Sequence, residues 1–243
     1  PNMEKRPASW RARIGTIIPV SNTNNETEFN NMRPGGVTVH FTRVPLHGNP
    51  EEDNFEEMLE HAGDASENLA TAGADLIVYG CTSGSMACPA DRLITTMEKR
   101  SGKPSISTAG SILEALRSLD VKRISMATPY TDVTNEKERK FLESNGFEVL
   151  SVKGLGLGGT LEKIQKMSRV PPNEIYEHVK SVDDKYAEAV LICCTDFGSS
   201  SVIQILEDDL GKPVISSNTA SFWHALHLLR ITGEVKGYGR LFD

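Results

Sequence analysis

Long hydrophobic runs and an excess of positive charge are both missing from this 243-residue sequence. Its apolar stretches fall well short of the ~20 residues that a membrane-spanning helix needs, so no contact with a membrane is expected. The formal net charge of −7 argues against a general nucleic-acid-binding surface. The N-terminal residues 1–12 are polar and lack the apolar core of a secretory signal, which predicts an arm at the surface.

Cysteine is scarce as well. Four cysteines in a chain of this length do not make a disulfide framework, and the neighbours Cys193 and Cys194 would bridge only with strain. A reducing compartment is expected, which predicts a cytoplasmic protein. Hydrophobic residues make up 38% of the chain, enough for one large domain or for two half-size lobes that each have a core.

Two of the four cysteines end apolar runs in the same way. Cys81 follows Leu-Ile-Val-Tyr-Gly, and Cys194 follows Ala-Val-Leu-Ile-Cys; a threonine and several turn-forming residues come next in both places. The pattern predicts that each cysteine lies at the carboxyl end of a buried strand, where open α/β sheets bind ligands beside a helix N-terminus. The two thiols are therefore predicted to face one site.

Other segments repeat with nearly the same spacing. The offsets run from 109 to 113 residues, which is too long for a solenoid repeat and fits a duplication of two α/β halves. The matched segments are 13–19 with 123–129, 25–26 with 135–136, 74–85 with 187–199, and 102–107 with 211–216.

Strand and helix patterns alternate along the chain. Strands are predicted near 13–18, 36–44, 75–80, 104–107, 122–127, 147–152, 188–193 and 213–216. Helices are predicted over 52–72, 88–100, 109–118, 134–145, 158–167, 173–186, 200–208 and 219–230. This order predicts an α/β fold of two pseudo-symmetric lobes, each a mostly parallel sheet flanked by helices, with the active site between them. The lobes are assigned to 13–115 and 116–225, and a C-terminal segment, 226–243, is predicted to brace the first lobe.

The matched cysteines are the candidate catalytic residues. A lone cysteine at a strand end is more often packed in the core than reactive, but two at equivalent positions reverse that expectation. A thiol beside helix N-terminal amides can have its ordinary pKa of ~8.5 lowered, which gives a reactive thiolate. Cys88 is predicted to lie inside the following helix and Cys193 on the opposite strand face from Cys194, so both are interpreted as structural.

Polar groups surround both predicted thiols. Hydroxyls and amides at two helix starts can hold a carboxylate or a developing enolate, although some of them must serve as ordinary helix caps. These groups belong to Thr82, Ser83, Ser85, Thr195, Ser199 and Ser200. Tyr130 follows a strand of the second half and Asn22 the matching strand of the first, so each is predicted to add a donor.

Two further motifs are not assigned chemistry. Residues 154–159 formally satisfy the Gly-x-Gly-x-x-Gly pattern, but they lie late in the chain without the acidic partner that a dinucleotide site needs, so a flexible loop near the site is predicted. His224 and His227 are one helical turn apart with no carboxylate or cysteine at ligand spacing, so they are interpreted as helix residues and no metal is expected.

The segments 18–28, 127–130 and 237–242 resemble the aspartate/glutamate racemase superfamily, within it the branch of maleate cis–trans isomerases and arylmalonate decarboxylases. The resemblance covers nearly the whole chain. It implies two pseudo-symmetric α/β lobes whose cysteines lie on either side of a carboxylate substrate, without a metal or an organic cofactor.

The same resemblance implies roles for single residues. Arylmalonate decarboxylases have glycine at the position of Cys81, so its presence favours a two-thiol enzyme. In maleate isomerases the residue matching Cys81 adds to the alkene and the residue matching Cys194 transfers the proton, while Asn22 and Tyr130 match substrate-binding residues.

Two departures from the isomerase pattern concern the substrate. Gly158 and Gly159 stand in the region where maleate isomerases have a carboxylate-binding asparagine. Asp196 would repel a dianion such as maleate, but it could receive an amine or a hydroxyl.

Together these observations predict a cofactor-independent isomerase of a small carboxylate or dicarboxylate. It acts either by thiolate addition, bond rotation and elimination, or as a racemase by two-thiol proton transfer. An arylmalonate-type decarboxylase and a non-catalytic carboxylate-binding protein are the alternatives, and assembly into a homo-oligomer is left open. The predicted catalytic residues are Cys81 and Cys194, and the predicted substrate-binding residues are Asn22, Thr82, Ser83, Tyr130, Thr195 and Asp196.

Overall fold

A computed structural model describes residues 6–46 and 55–243. The first part of the predicted arm, residues 1–5, and the start of the helix predicted from residue 52 lie outside the described residues. In the described ranges, eight strands form two four-stranded sheets, and helices flank both. The predicted α/β fold with two similar lobes is confirmed, whereas the exact lobe boundaries stay a prediction.

The described part of the first lobe is built from four strands and five helices. Its elements are β1 (Ala12–Pro19), α1 (Asn25–Met32), β2 (Val37–Val44), α2 (Phe55–Thr71), β3 (Leu76–Tyr79), α3 (Thr82–Ala87), α4 (Ala90–Ser101), β4 (Ser105–Ser107) and α5 (Thr108–Ser118).

The second lobe repeats this order with small changes. Its elements are β5 (Arg123–Tyr130), α6 (Asp132–Ser144), β6 (Glu148–Leu157), α7 (Leu161–Met167), α8 (Pro172–Val182), β7 (Ala189–Ile192), a 3₁₀ turn (Ser200–Val202), α9 (Ile203–Leu210), β8 (Val214–Ser216), α10 (Ser217–Leu228) and a last 3₁₀ turn (Arg240–Phe242).

Both sheets are parallel and have the same strand order. The first runs β2-β1-β3-β4 and the second β6-β5-β7-β8, and every pairing is parallel. The central strands β3 and β7 are buried along their whole length, as expected for parallel strands covered on both faces. Because β3 and β7 hold equivalent places, the loops that follow them carry Cys81 and Cys194 to equivalent sheet edges.

One apolar core joins the two lobes. It includes Ile14 and Val78 of the first sheet together with Ile124 and Leu191 of the second. Helices α5 and α10 pack against each other, and α10 also contacts α1 of the first lobe. Near the C-terminus, Glu234 forms an ion pair with Arg11 at 2.7 Å, so the end of the chain contacts residues near its beginning.

The structure corrects two helix predictions in the first lobe. Helix α1 (Asn25–Met32) was not predicted, because its eight residues are mostly polar and show little helical periodicity. Cys88 was predicted to lie within a helix, but it lies between α3 and α4, where its extended backbone (φ −80°, ψ 139°) ends α3. The residue that follows is Pro89, and a residue before proline disfavours the helical region.

The glycine-rich segment 154–159 is also corrected. Its first four residues are not a loop but the end of β6, which pairs with β5 from Glu148 as far as Leu157. A Cβ at Gly154 would lie 2.0 Å from the carbonyl oxygen of Tyr130, so only glycine permits this pairing. The segment is therefore an edge strand beside the end of β5.

Candidate active site

Both cysteine thiols are free and buried at the edges of the two sheets. Cys81 precedes the first residue of α3, and its side chain is 6% exposed. Cys194 follows β7 by two residues, is 7% exposed, and has a φ of +94°, a region that residues other than glycine seldom adopt. Backbone strain of this kind is often retained where a side chain must be held in one direction.

A single hydroxyl joins the loops that carry the two cysteines. Ser217, the first residue of α10, accepts a hydrogen bond from the Cys194 backbone N–H at 3.1 Å. The same Oγ accepts a second hydrogen bond from the Thr82 hydroxyl at 2.8 Å, and Thr82 directly follows Cys81. The two strand ends therefore meet at one atom, and a negative charge on Cys81 raises the pKa of Cys194.

Asn22 and Thr195 also link the lobes. The Asn22 amide donates to the Thr195 hydroxyl at 2.9 Å, and that hydroxyl donates to the carbonyl oxygen of Gly80 at 2.9 Å. Both residues are buried. In this closed arrangement their polar groups satisfy one another, so a ligand that binds them must replace these hydrogen bonds.

Asp196 lies beside Cys194 and contacts the first lobe. Its Oδ1 accepts hydrogen bonds from the backbone N–H groups of Thr23 at 2.8 Å and Asn24 at 3.1 Å. Its Oδ2 is buried and has no hydrogen-bond partner. Burial raises the pKa of Asp196 to about 6, against the two N–H donors that lower it, so the carboxylate is charged at neutral pH.

The electrostatic surroundings of the two thiols differ. Burial raises the pKa of Cys81, while the Gly84 backbone N–H and the Ser83 hydroxyl, 3.9 Å from the sulfur, lower it. Burial and then the negative charge of Asp196 raise the pKa of Cys194, and the Tyr130 hydroxyl lowers it. Both thiols are thus more basic than the lowered values expected from the helix starts, because burial outweighs the amides.

All eight predicted site residues lie at this junction. Tyr130 is buried, and burial raises its pKa, as do negative charges on Cys194 and Cys81. Of the predicted binding groups, the Thr82, Thr195 and Asn22 side chains are already hydrogen-bonded to the protein. The carboxylate of Asp196 has one oxygen without a partner.

Two of the buried carboxyls that the sequence analysis did not single out lie on equivalent helices of the two lobes. Glu28 on α1 accepts hydrogen bonds from the Ser200 backbone N–H at 2.7 Å and the Asn218 amide at 2.6 Å. Glu138 on α6 is equally buried, but neither of its oxygens has a hydrogen-bond partner. The spacing that relates Asn25 to Asn135 also relates Glu28 to Glu138, so extending that match by three residues would have found both.

The histidine pair has no ligand geometry. His224 Nδ1 lies 3.0 Å from the Ser111 hydroxyl, and His227 stacks on Trp223 with ring centroids 5.4 Å apart. Within residues 6–46 and 55–243, no group of three or more His, Cys, Asp or Glu side chains is arranged to hold a metal ion. Over the same ranges, no helix is both long and apolar enough to cross a membrane.

The fold and the site define a two-lobed α/β protein with one buried cysteine at the equivalent sheet edge of each lobe. The chain belongs to the arylmalonate decarboxylase family, whose model matches residues 14–242. This match confirms the branch that the sequence resembles.

Curated relatives include both activities of that branch. The maleate isomerase of Geobacillus stearothermophilus is 28% identical over 249 residues, which cover 95% of this chain and 97% of the relative. The arylmalonate decarboxylase of Bordetella bronchiseptica is 28% identical over 204 residues, which cover 81% of this chain and 82% of the relative.

Solved structures agree with the fold over nearly the whole chain. The Nocardia farcinica maleate cis–trans isomerase bound to Tris superposes with a TM-score of 0.85 at 28% identity, covering 95% of this chain and 97% of that structure. A cysteine-to-serine mutant of the Nocardia farcinica enzyme, solved with a covalently bound succinylcysteine intermediate, has a TM-score of 0.85 at 26% identity and covers 95% and 98%. The chain is therefore an enzyme resembling the maleate isomerases, as predicted.

Proposed function

We propose that the protein is a cofactor-independent cis–trans isomerase of a small unsaturated dicarboxylate, with Cys81 as the nucleophile and Cys194 as the proton donor. One observation carries this proposal: two buried free thiols lie at equivalent strand ends whose loops meet at the Ser217 hydroxyl. A two-thiol reaction needs one sulfur on each side of the reacting carbons.

The surroundings of the two thiols support the division of roles. The Gly84 N–H and the Ser83 hydroxyl both favour a thiolate at Cys81, the form that attacks an alkene. The negative charge of Asp196 disfavours a thiolate at Cys194, so that sulfur keeps its proton until a carbanion forms beside it. The more acidic thiol is thus the nucleophile and the less acidic thiol the acid.

The chemical steps balance without a co-reactant. The Cys81 thiolate forms a carbon–sulfur bond to one alkene carbon, and the other carbon takes the proton from Cys194. The former double bond is now single and can rotate. The Cys194 thiolate then removes a proton from the same carbon, the double bond re-forms, and the carbon–sulfur bond breaks to restore the Cys81 thiolate.

Maleate is the proposed substrate. Relatives that match 94–95% of the chain are named maleate isomerases, and a succinylcysteine intermediate in one of them is the adduct that thiolate addition to maleate gives. The proposed carboxylate ligands are Asn22, Thr82, Ser83, Tyr130 and Thr195. Their donors include hydroxyls and amides that would exchange their present partners for substrate oxygens.

A racemase of a small substituted carboxylate is the second candidate. It is favoured by Asp196 Oδ2, a buried carboxylate oxygen without a partner that could accept a hydrogen bond from a substrate amine or hydroxyl. In heavy water a racemase must place deuterium on the α-carbon as optical activity is lost, because the proton passes through exchangeable thiols.

Proton NMR of the purified protein with maleate tests the first candidate. We expect fumarate to form with the wild type and not with Cys81→Ser or Cys194→Ser, while Cys88→Ser remains active because its thiol lies outside the junction. Loss of optical activity from an amino or hydroxy acid, with no fumarate from maleate, would give the racemase precedence. Release of carbon dioxide from an arylmalonate would favour the decarboxylase.

The proposal includes a cytoplasmic location, which the four free thiols support. A homo-oligomer is compatible with it, and size-exclusion chromatography with light scattering measures the assembly state directly. The proposed partner is the small dicarboxylate alone.

A further inference from the structure

Glu138 is buried behind the first-lobe side of the site. It lies on α6, which packs against α3, the short helix that begins directly after Cys81. The side chain is 1% exposed, and neither carboxyl oxygen has a partner at hydrogen-bonding geometry. A charged carboxylate without a partner at such a place would have a large desolvation free energy. The protonated carboxyl is therefore the expected state.

The ionisable groups coupled to Glu138 come from three neighbouring strand ends. Cys81 follows β3, Tyr130 ends β5, and Cys193 follows β7. A negative charge on Glu138 raises the pKa of each of these groups. The carboxyl and the nucleophilic sulfur therefore compete for a negative charge within one buried region.

The Glu138 carboxyl can gain or lose its proton close to neutral pH. Burial raises the pKa of Glu138 to about 8, and only the nearby Cys193 thiol lowers it. Groups whose titrations are coupled exchange protons as a pair, so a proton held by one favours ionisation of the other.

We propose that Glu138 is a positioning residue for Cys81: its buried carboxyl behind α3 stays neutral while the site works, and its ionisation at higher pH disfavours a negative charge on the Cys81 sulfur. The inference rests on the proposed role of Cys81 as a nucleophile. No bond to carbon is made or broken by Glu138; only its proton and the Cys81 proton are involved, and one of the two sites is always occupied at neutral pH.

Alkylation of Cys81 by iodoacetamide tests this inference without any turnover. Mass spectrometry of the Cys81 peptide gives the alkylation rate at each pH, in the wild type and in Glu138→Gln. Glutamine keeps the shape of the protonated carboxyl and cannot ionise. We expect the midpoint of the rate profile to fall by a few tenths of a pH unit in the variant and the profile to become steeper, because one group titrates in place of two.

Glu28→Gln is the matched control, since it changes the equivalent carboxyl of the other lobe. We expect the Cys81 midpoint in that variant to equal the wild-type midpoint. An unchanged midpoint and slope in Glu138→Gln overturns the inference. A changed Cys81 profile together with no isomerase activity on any dicarboxylate would retain the coupling and reject the proposed function.

Infrared spectroscopy supplies a second readout that does not need Glu138→Gln to fold. In Glu28→Gln protein labelled with ¹³C-glutamate, we expect a neutral carboxyl band at pH 6 that disappears around pH 8. Absence of that band at pH 6 would mean that Glu138 is ionised, which contradicts the inference. The two measurements together separate a proton-holding carboxyl from one that only fills space.

Discussion

Glu28 and Glu138 occupy the same place in the two lobes, yet their surroundings differ. Glu28 accepts hydrogen bonds from the Ser200 N–H and from the Asn218 amide, so its carboxylate helps to hold α1 against the second lobe. The residue that corresponds to Asn218 in the first lobe is Ala109, which has no side-chain donor. The amide that helps to anchor Glu28 thus has no counterpart beside Glu138, which is one reason why the two carboxyls differ in hydrogen bonding.

The two cysteines differ in a comparable way. Cys81 is followed by Thr82-Ser83, and Cys194 is followed by Thr195-Asp196. The serine hydroxyl lowers the pKa of its neighbouring thiol, whereas the aspartate charge raises the pKa of the other. In both comparisons, equivalent backbone positions lie beside different side chains. The ionisable residue of each lobe therefore has different electrostatic surroundings.

Removing either sulfur should have the largest effect. We expect Cys81→Ala and Cys194→Ala each to lower kcat/KM by about 10³-fold or more, because each removes a group that acts only during the reaction. Thermal melting should show little change in stability, and Cys88→Ala should keep its turnover. If Cys81→Ala and Cys194→Ala kept as much activity as Cys88→Ala, neither thiol would have the catalytic role that is proposed for it.

The raised pKa of Glu138 should appear next, in the pH dependence of stability. Glu138 has a pKa of about 8 in the folded protein, against 4.5 for the ordinary residue, so the folded state binds its proton more tightly. Wild-type stability should therefore fall as pH rises from about 4.5 to 8 and level off above. Relative to the wild type, Glu138→Gln should gain about 2–4 kcal/mol over that window.

Urea unfolding at a series of pH values measures this difference. The free-energy cost of burying the glutamine amide at position 138 does not depend on pH. The comparison therefore uses only the change in the free energy of unfolding with pH. A constant free-energy difference between the two proteins from pH 4.5 to 8 would mean that Glu138 titrates normally.

Asn218→Ala should weaken the anchored glutamate. It removes the donor to Glu28 and a hydrogen bond to the Thr195 carbonyl oxygen, and it leaves a buried carboxylate under-satisfied. We expect a loss of about 1–3 kcal/mol in the free energy of unfolding. Asn30→Ala, at an exposed position of α1, should change stability by less than about 0.5 kcal/mol; equal losses would show that the inter-lobe bonds contribute little.

Asp196→Asn should have the smallest of these effects. Asparagine keeps an oxygen for the Thr23 and Asn24 N–H groups and removes a charge that repels a dianionic substrate. We expect KM for maleate to fall by about tenfold at pH 7, which corresponds to ~1.4 kcal/mol. Below pH 6 the wild-type carboxyl is protonated, so the two KM values should converge.

Steady-state kinetics at pH 5.5 and 7.5 supply both comparisons. Asp208→Asn, an exposed change outside the junction, is the control and should leave KM as it is at both pH values. A higher KM in Asp196→Asn would instead indicate a substrate that donates a hydrogen bond to the carboxylate.

The sequence contained enough information for the architecture and for the two thiols. Buried parallel strands such as β3 are nearly continuous apolar runs, and their ends are marked by Cys-Thr and turn residues. The polar helix α1 was missed because its buried face is made partly of Asn25 and Glu28, which do not read as hydrophobic. Tertiary hydrogen bonds stabilise that face, and no periodicity reports them.

The direction of the thiol pKa shifts could not be predicted from spacing alone. Helix N-terminal amides were expected to lower the pKa of Cys81, but the net effect depends on how completely the other lobe covers the sulfur. Likewise, Ser217 is an ordinary helix-start serine in the sequence. Only folding brings its hydroxyl between the Cys194 N–H and Thr82.

The positive φ of Cys194 has a consequence for laboratory evolution. At +94°, glycine relieves the backbone of a steric cost that cysteine must bear. A library screened only for heat resistance should therefore enrich Cys194→Gly, and every enriched clone should be catalytically dead. Stability and turnover select opposite residues at this one codon, so a screen must score both properties to keep the enzyme.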